Sequence, residues 1–286
     1  MAKLNFTPEE LTITDKTQLG TNYAETFVFV PARPDEEELG SLFITAEVAS
    51  NKSRKENAEL ISEMATVVKN EYYKNTLVTP ISALKFSLKR ANVFLVNKKT
   101  WLAPAVSLKL RVLVSSLKEN KLHLARLGEA SAFILRQGDL QSITSHANFK
   151  NTANLAFENI ISGELLASDH IVLATHQIHK IDENELAAKL QEKKLVDHLK
   201  KIDSGIKSLA LITLYPTKNS PPQNQPAKPS LAFIGGVDQP RPTAPHPRNK
   251  FFKGAVLMTI LIGTITTIAI VSLKIKNETS QNKKEA

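Results

Sequence analysis

The sequence predicts an α+β domain built in layers, followed by a linker and one membrane-spanning helix. Three observations predict it: β-branched and aromatic runs separated by turn residues, two consecutive stretches with apolar side chains at helical spacing, and an abrupt change of composition after residue 216. The strand-like runs are FVFVP (27–31), GSLFITAEV (40–48), AVSLKLRVLVSS (105–116), KLHLARLG (121–128), ASAFILRQG (130–138), DHIVLATH (169–176) and KSLALITLY (207–215). Helical spacing places Leu60, Ile61, Met64, Val67 and Val68 on one face of 53–75, and Ile81, Leu84, Leu88, Ala91 and Leu95 on one face of 79–97. A third helix is expected over 182–201. Strands, two helices in succession, more strands and a late helix do not form a regular βαβ repeat, so an α+β domain over 1–216 is expected.

The 286 residues carry a formal charge of +9, unevenly distributed: residues 1–216 have a net +2 and residues 217–286 a net +7. A nearly neutral domain lacks the cationic face that a phosphate backbone requires, which excludes nucleic acid as the expected partner. The chain has no cysteine, so disulfides, thiolate catalysis and thiolate zinc sites are excluded. The N-terminal MAKLNFTPEELTITD alternates polar and apolar residues without the apolar core of a signal peptide.

Residues 217–253 are rich in proline, polar and basic residues and cannot bury enough surface to order themselves, so an extended linker is expected. LAFIGGV, 231–237, is a short apolar island within it. Residues 254–273, GAVLMTILIGTITTIAIVSL, contain no charge and at ~1.5 Å per residue match the ~30 Å hydrocarbon core of a bilayer. A short basic tail, 274–286, follows. Lys and Arg bracket both ends of the apolar run equally, so the positive-inside rule does not orient it. The N-terminal sequence and the cost of translocating a folded domain favour a tail-anchored, single-pass arrangement with the domain in the cytoplasm.

The order of pieces over about residues 10–215 resembles the PPM-type, protein phosphatase 2C-like, metal-dependent serine/threonine phosphatases. The pieces are LFITAEVAS, the two helices, KLHLARLGEASAFILRQGDLQSIT, ISGELLASDHIVLATHQIHKIDENEL and GIKSLALITLY. The resemblance implies an α-β-β-α sandwich of two antiparallel sheets, with a hairpin carrying the second motif. It also implies a centre in which carboxylates at strand ends hold two Mn²⁺ or Mg²⁺ ions and a metal-bound water attacks phosphorus.

At those positions this chain departs from the family. The strand-ending Asp-Gly becomes Glu47-Val48, replacing the turn glycine with a β-branched residue. In the Gly-Asp-Ser-Arg motif Gly128 remains, followed by Glu129, Ala130 and Ser131; Thr-Asp-Gly becomes Thr175-His176-Gln177. The final Asp-Asn is replaced by Gly205-Ile206, unless Asp203 shifts into register. Asn22 and Glu25 are loose counterparts of the family's N-terminal run, and its phosphate-binding arginine is missing. Imidazole suits Mg²⁺ poorly, and each lost carboxylate removes both a ligand and a charge. The resemblance thus implies a membrane-anchored pseudophosphatase, without a cofactor, that binds a phosphoprotein or membrane partner beside the lipid bilayer. The alternative is a divergent Mn- or Mg-dependent phosphatase, with Glu47 and Glu129 as a residual metal site.

The remaining candidates have simpler readings. His170, His176 and His179 are surface or turn histidines rather than zinc ligands, because no cysteine or obvious fourth ligand accompanies them. Trp101 is expected to pack against the core, with a recognition anchor as the alternative, and Asp35 to Glu38 are expected to form a solvated turn.

Overall fold

The computed structural model describes residues 4–14, 22–102, 109–144, 156–157, 159–201 and 205–217. The chain divides into two units, Met1–Val237 and Asp238–Ala286, and all described residues belong to the first. It contains ten strands: β1 Phe6–Thr14, β2 Asn22–Phe29, β3 Ser41–Ala49, β4 Lys109–Lys118, β5 Lys121–Leu127, β6 Ser131–Arg136, β7 Asp139–Ser142, β8 Ile161–Glu164, β9 His170–Ala174 and β10 Ser208–Pro216. The helices are α1 Arg54–Tyr72, α2 Pro80–Leu102, α3 Glu183–Gln191 and α4 Leu195–Lys201.

The strands form two antiparallel five-stranded sheets, ordered β1-β10-β9-β6-β7 and β2-β3-β4-β5-β8. Three apolar layers follow from side-chain alternation. Ile44, Ala46, Val48, Val112 and Val114 meet Leu60, Met64, Leu84 and Leu95 of α1 and α2. Phe133, Val172, Leu209 and Leu211 meet Leu186, Leu190 and Leu199 of α3 and α4. Between the sheets lie Phe43, Leu113, Leu124, Ile134, Leu173 and Ile212. The sheets and helices agree with the α+β sandwich that the sequence led one to expect.

Local chemistry fixes the helix ends. The Ser53 hydroxyl accepts from Glu56 N–H at 3.2 Å while a Glu56 carboxylate oxygen accepts from Ser53 N–H at 2.9 Å, closing a capping box at the start of α1. Its last turn is fixed by Tyr72 and Tyr73, whose hydroxyls donate to the Leu39 and Gly40 carbonyls at 2.6 and 2.8 Å. Pro80 opens α2, where its missing N–H costs no helical bond.

Three expectations are corrected. The 182–201 helix is two helices, because Lys193 adopts φ +56°, a left-handed conformation that a continuous helix does not accommodate. The 121–144 piece is not a hairpin: β5 and β6 belong to different sheets, and the antiparallel hairpin is β6–β7. Strands β1, β7 and β8 complete the sheets, although the sequence reading did not separate them from their surroundings.

Among the described residues no helix is long and apolar enough to cross a membrane. The linker at 217–253 begins at the last described residue. The apolar run at 254–273, the tail at 274–286, Asp203 and the 231–237 island lie outside the described residues.

Candidate functional site

Polar residues gather at one end of the sandwich, where β3 ends, β4 begins, β5 crosses to β6 and β9 leads into a short 3-10 helix at His176–Lys180. Antiparallel pairing of β3 with β4 sets Glu47 directly opposite Arg111. Alternation turns both side chains away from α1 and α2, whereas their neighbours Val48 and Val112 enter the helix-facing core. Val48 therefore does not occupy a turn. A β-branched residue suits a strand, and β3 continues to Ala49.

The guanidinium of Arg111 lies between two carboxylates. Nη1 donates to Glu47 Oε1 at 3.1 Å, and Nε lies 3.4 Å from Glu129 Oε2. The pair is asymmetric: the Glu47 side chain is 1% exposed and that of Glu129 61%. Burial raises the Glu47 pKa by more than Arg111 lowers it; the Thr175 and Ser208 hydroxyls also favour the charged form, and the Glu129 charge opposes it. Glu47 Oε2 nevertheless has no hydrogen bond among the described residues, nor has the buried Ser208 hydroxyl.

Glu129 is presented by the crossing between the sheets. Gly128 holds φ +68° there, and a Cβ would run into the Leu110 carbonyl oxygen on β4. Glycine is the residue that meets both demands. Ala130 is buried in the inter-sheet core, and Ser131 begins β6.

The Ser131 hydroxyl is 2.7 Å from Nε2 of His179. His176 Nδ1 lies 3.8 Å from Glu129 Oε2, and the two imidazole centroids are 5.9 Å apart, as residues three apart in a 3-10 turn should be. Burial lowers the His176 pKa; Glu129 opposes this, while Arg111, His179 and Lys109 reinforce it. Gln177 turns from this group and accepts from Lys207 N–H at 2.8 Å. Gly205, at φ +63°, offers its carbonyl to Lys180 Nζ at 2.6 Å. His170 stands apart on β9, 3.1 Å from the Leu190 carbonyl. Glu25 accepts from the Tyr23 hydroxyl at 3.0 Å on the face of β2 turned toward α1, so it does not join Glu47.

Glu47 and Glu129 are thus brought onto one side chain, Arg111, which the sequence reading did not single out. Its signal was present: an arginine directly before the apolar VLV of LKLRVLV, a position that demands a carboxylate once it is buried. Among the described residues no group of three His, Asp or Glu side chains is arranged to hold a metal ion. Among the described residues the donor set at the strand ends does not fit two divalent cations, since the guanidinium of Arg111 lies between the two carboxylates.

No protein-family model and no curated protein sequence matches this chain. Solved structures do. A serine/threonine phosphatase of S. agalactiae aligns with TM-score 0.57 at 14% identity, over 74% of this chain and 99% of that one. A bacterial serine phosphatase aligns with TM-score 0.57 at 14% identity, over 75% and 99%. The Mycobacterium tuberculosis serine/threonine phosphatase PstP/Ppp aligns with TM-score 0.51 at 13% identity, over 74% and 98%. The chain has a PPM phosphatase-like fold, and at these identities the likeness is one of fold alone.

Proposed function

We propose that this chain is a pseudophosphatase: a PPM-like domain that binds a phosphoprotein or membrane partner through the end of the sandwich where catalysis would take place, without turning over phosphate. One observation carries the reading. Arg111 places a fixed positive charge 3.1 Å from Glu47 and 3.4 Å from Glu129, neutralising the carboxylates that a metal centre would need. A guanidinium holds carboxylates but supplies no water of lowered pKa, so the nucleophile of a metal-dependent phosphatase has no source in these residues. His176 and Gln177, where the family has Asp-Gly, add no hard oxygen anion.

The proposal includes attachment to a bilayer through 254–273, with the folded domain on the cytoplasmic side, and lateral reach through a linker at 217–253. Protease protection in sealed vesicles reads that orientation.

A second reading is favoured by the Glu47 Oε2 atom, a buried carboxylate oxygen with no hydrogen bond among the described residues. On that reading the chain is a divergent Mn- or Mg-dependent serine/threonine phosphatase at the membrane. The test is phosphopeptide hydrolysis by the full chain in detergent with Mn²⁺, alongside metal analysis. The pseudophosphatase reading expects no turnover above that of Glu47→Gln and no stoichiometric metal. Metal-dependent turnover abolished by Glu47→Gln would overturn it.

A further inference from the structure

The two helices on the β2-β3-β4-β5-β8 sheet present different surfaces outward. On α1 the outward residues are Ser62, Glu63, Thr66, Lys69 and Asn70, an ordinary solvent face. On α2 they include Phe86, Val93 and Val96, which are 52%, 45% and 64% exposed. Leu77, just before the helix, is 96% exposed, and Ile81 in its first turn 38%. Of the large apolar side chains exposed among the described residues, every one except Val30 lies between 77 and 96.

At ~3.6 residues per turn, Phe86, Val93 and Val96 share a stripe opposite the buried Leu84, Ala91 and Leu95, with Lys89 interleaved among them and Lys85 and Arg90 on its two sides. The 23 residues of α2 include Lys85, Lys89, Arg90, Lys98 and Lys99 and no aspartate or glutamate. Lys98 is engaged with Glu63 of α1 at 2.8 Å, while Lys85, Lys89 and Arg90 point outward.

We infer that this face of α2 lies on an anionic lipid bilayer, with Phe86, Val93 and Val96 in the headgroup boundary and Lys85, Lys89 and Arg90 on lipid phosphates. Separate apolar side chains interleaved with cations, and no anion along the helix, are what an interfacial helix requires. A second copy fits poorly, because a self-paired face would set Lys89 and Arg90 against their own kind. The inference rests on the membrane attachment proposed above for the nearness of a bilayer, and the following experiment separates the two.

The chain has no cysteine, so Val93→Cys accepts a single environment-sensitive fluorophore. The labelled full chain is mixed with phosphatidylcholine vesicles with or without phosphatidylglycerol, and both emission and flotation are read. The expected result is a blue-shifted, brighter probe only with phosphatidylglycerol, lost at about 1 M salt, where the Debye length falls to ~3 Å. Reversing Lys85, Lys89 and Arg90 to Glu should weaken probe insertion on the order of 100-fold. Phe86→Ser, which keeps the charges, should weaken it independently, and circular dichroism confirms that each variant is folded.

Equal emission in both vesicle types overturns the inference. So does a shift that appears without lipid as protein concentration rises, which assigns the face to a second copy. A shift produced by polyglutamate and not by phosphatidylglycerol vesicles assigns it to an acidic protein and likewise overturns it. Flotation with neutral vesicles while the probe stays in water in both vesicle types upholds the anchor and sinks the α2 inference. Flotation only with phosphatidylglycerol, with the probe inserted, does the reverse.

Discussion

Arg111 and Glu47 are cross-strand partners whose side chains meet at 3.1 Å with almost no contact with water, the guanidinium side chain 9% and the carboxylate 1% exposed. Burying two charges costs several kcal/mol each, and only their pairing keeps the cost tolerable. Arg111→Ala would leave Glu47 uncompensated and should destabilise the fold by about 3–5 kcal/mol at neutral pH. The Arg111→Ala, Glu47→Gln double variant should recover part of that loss. Urea denaturation of the four proteins in the cycle measures the coupling, and full additivity would contradict the pairing.

The pH dependence carries a definite sign. Burial holds the Glu47 carboxyl above its ordinary range despite Arg111, so the folded chain binds that proton more tightly than the unfolded chain. This contribution to stability is present below the unfolded value of ~4.3 and is lost as pH rises through the raised folded value. In Glu47→Gln the decline should be absent. From the acid range to neutrality the denaturation midpoint of the unsubstituted chain should fall relative to that of Glu47→Gln; parallel profiles would exclude Glu47 as the titrating group.

Gly128→Ala should lower stability by roughly 1–3 kcal/mol, since it combines a left-handed φ with a clash against the Leu110 carbonyl. Because Glu129 follows directly, the substitution should also disturb the Glu129–Arg111 contact. Gly138→Ala, at φ +86° with open space around it, separates the conformational cost from the steric one. A larger loss at 128 than at 138 is the expected outcome in thermal unfolding.

A second ion pair holds the opposite sheet. Asp169 is fully buried and accepts from Arg136 Nε at 2.9 Å, from Arg136 Nη2 at 2.6 Å and from Leu166 N–H at 2.6 Å. Asp169→Ala strands a half-buried guanidinium and should cost about 3–5 kcal/mol, against about 1 kcal/mol for removing the exposed α1 cap in Ser53→Ala. Chemical denaturation of both variants tests the ranking.

Much of the fold was legible in the sequence because periodicity reports which side of an element is apolar. The near-continuous apolar run in SLFITAEVA and the spacing of Leu60, Ile61, Met64 and Val68 require burial, and β3 is buried on both faces and α1 on one. The third helix was read as continuous because no proline or glycine marks its break; the interruption is a lysine in a left-handed conformation, Lys193, to which composition gives no clue. The crossing at Gly128 resembled a hairpin turn, since a local glycine signal looks the same whether the next strand pairs with the last one or joins the other sheet.

The sequence by itself determined the α+β layering, the absence of thiol chemistry and the uncharged run at 254–273. The tertiary structure alone decided what became of the two glutamates. Glu47 and Arg111 are 64 residues apart and Glu129 lies 18 beyond Arg111, so their meeting depends on strand register and on the crossing between the sheets. A local pattern can demand that a buried charge find a partner, but only the assembled sheets select which one, because the low dielectric that enforces the demand exists only once the layers have closed.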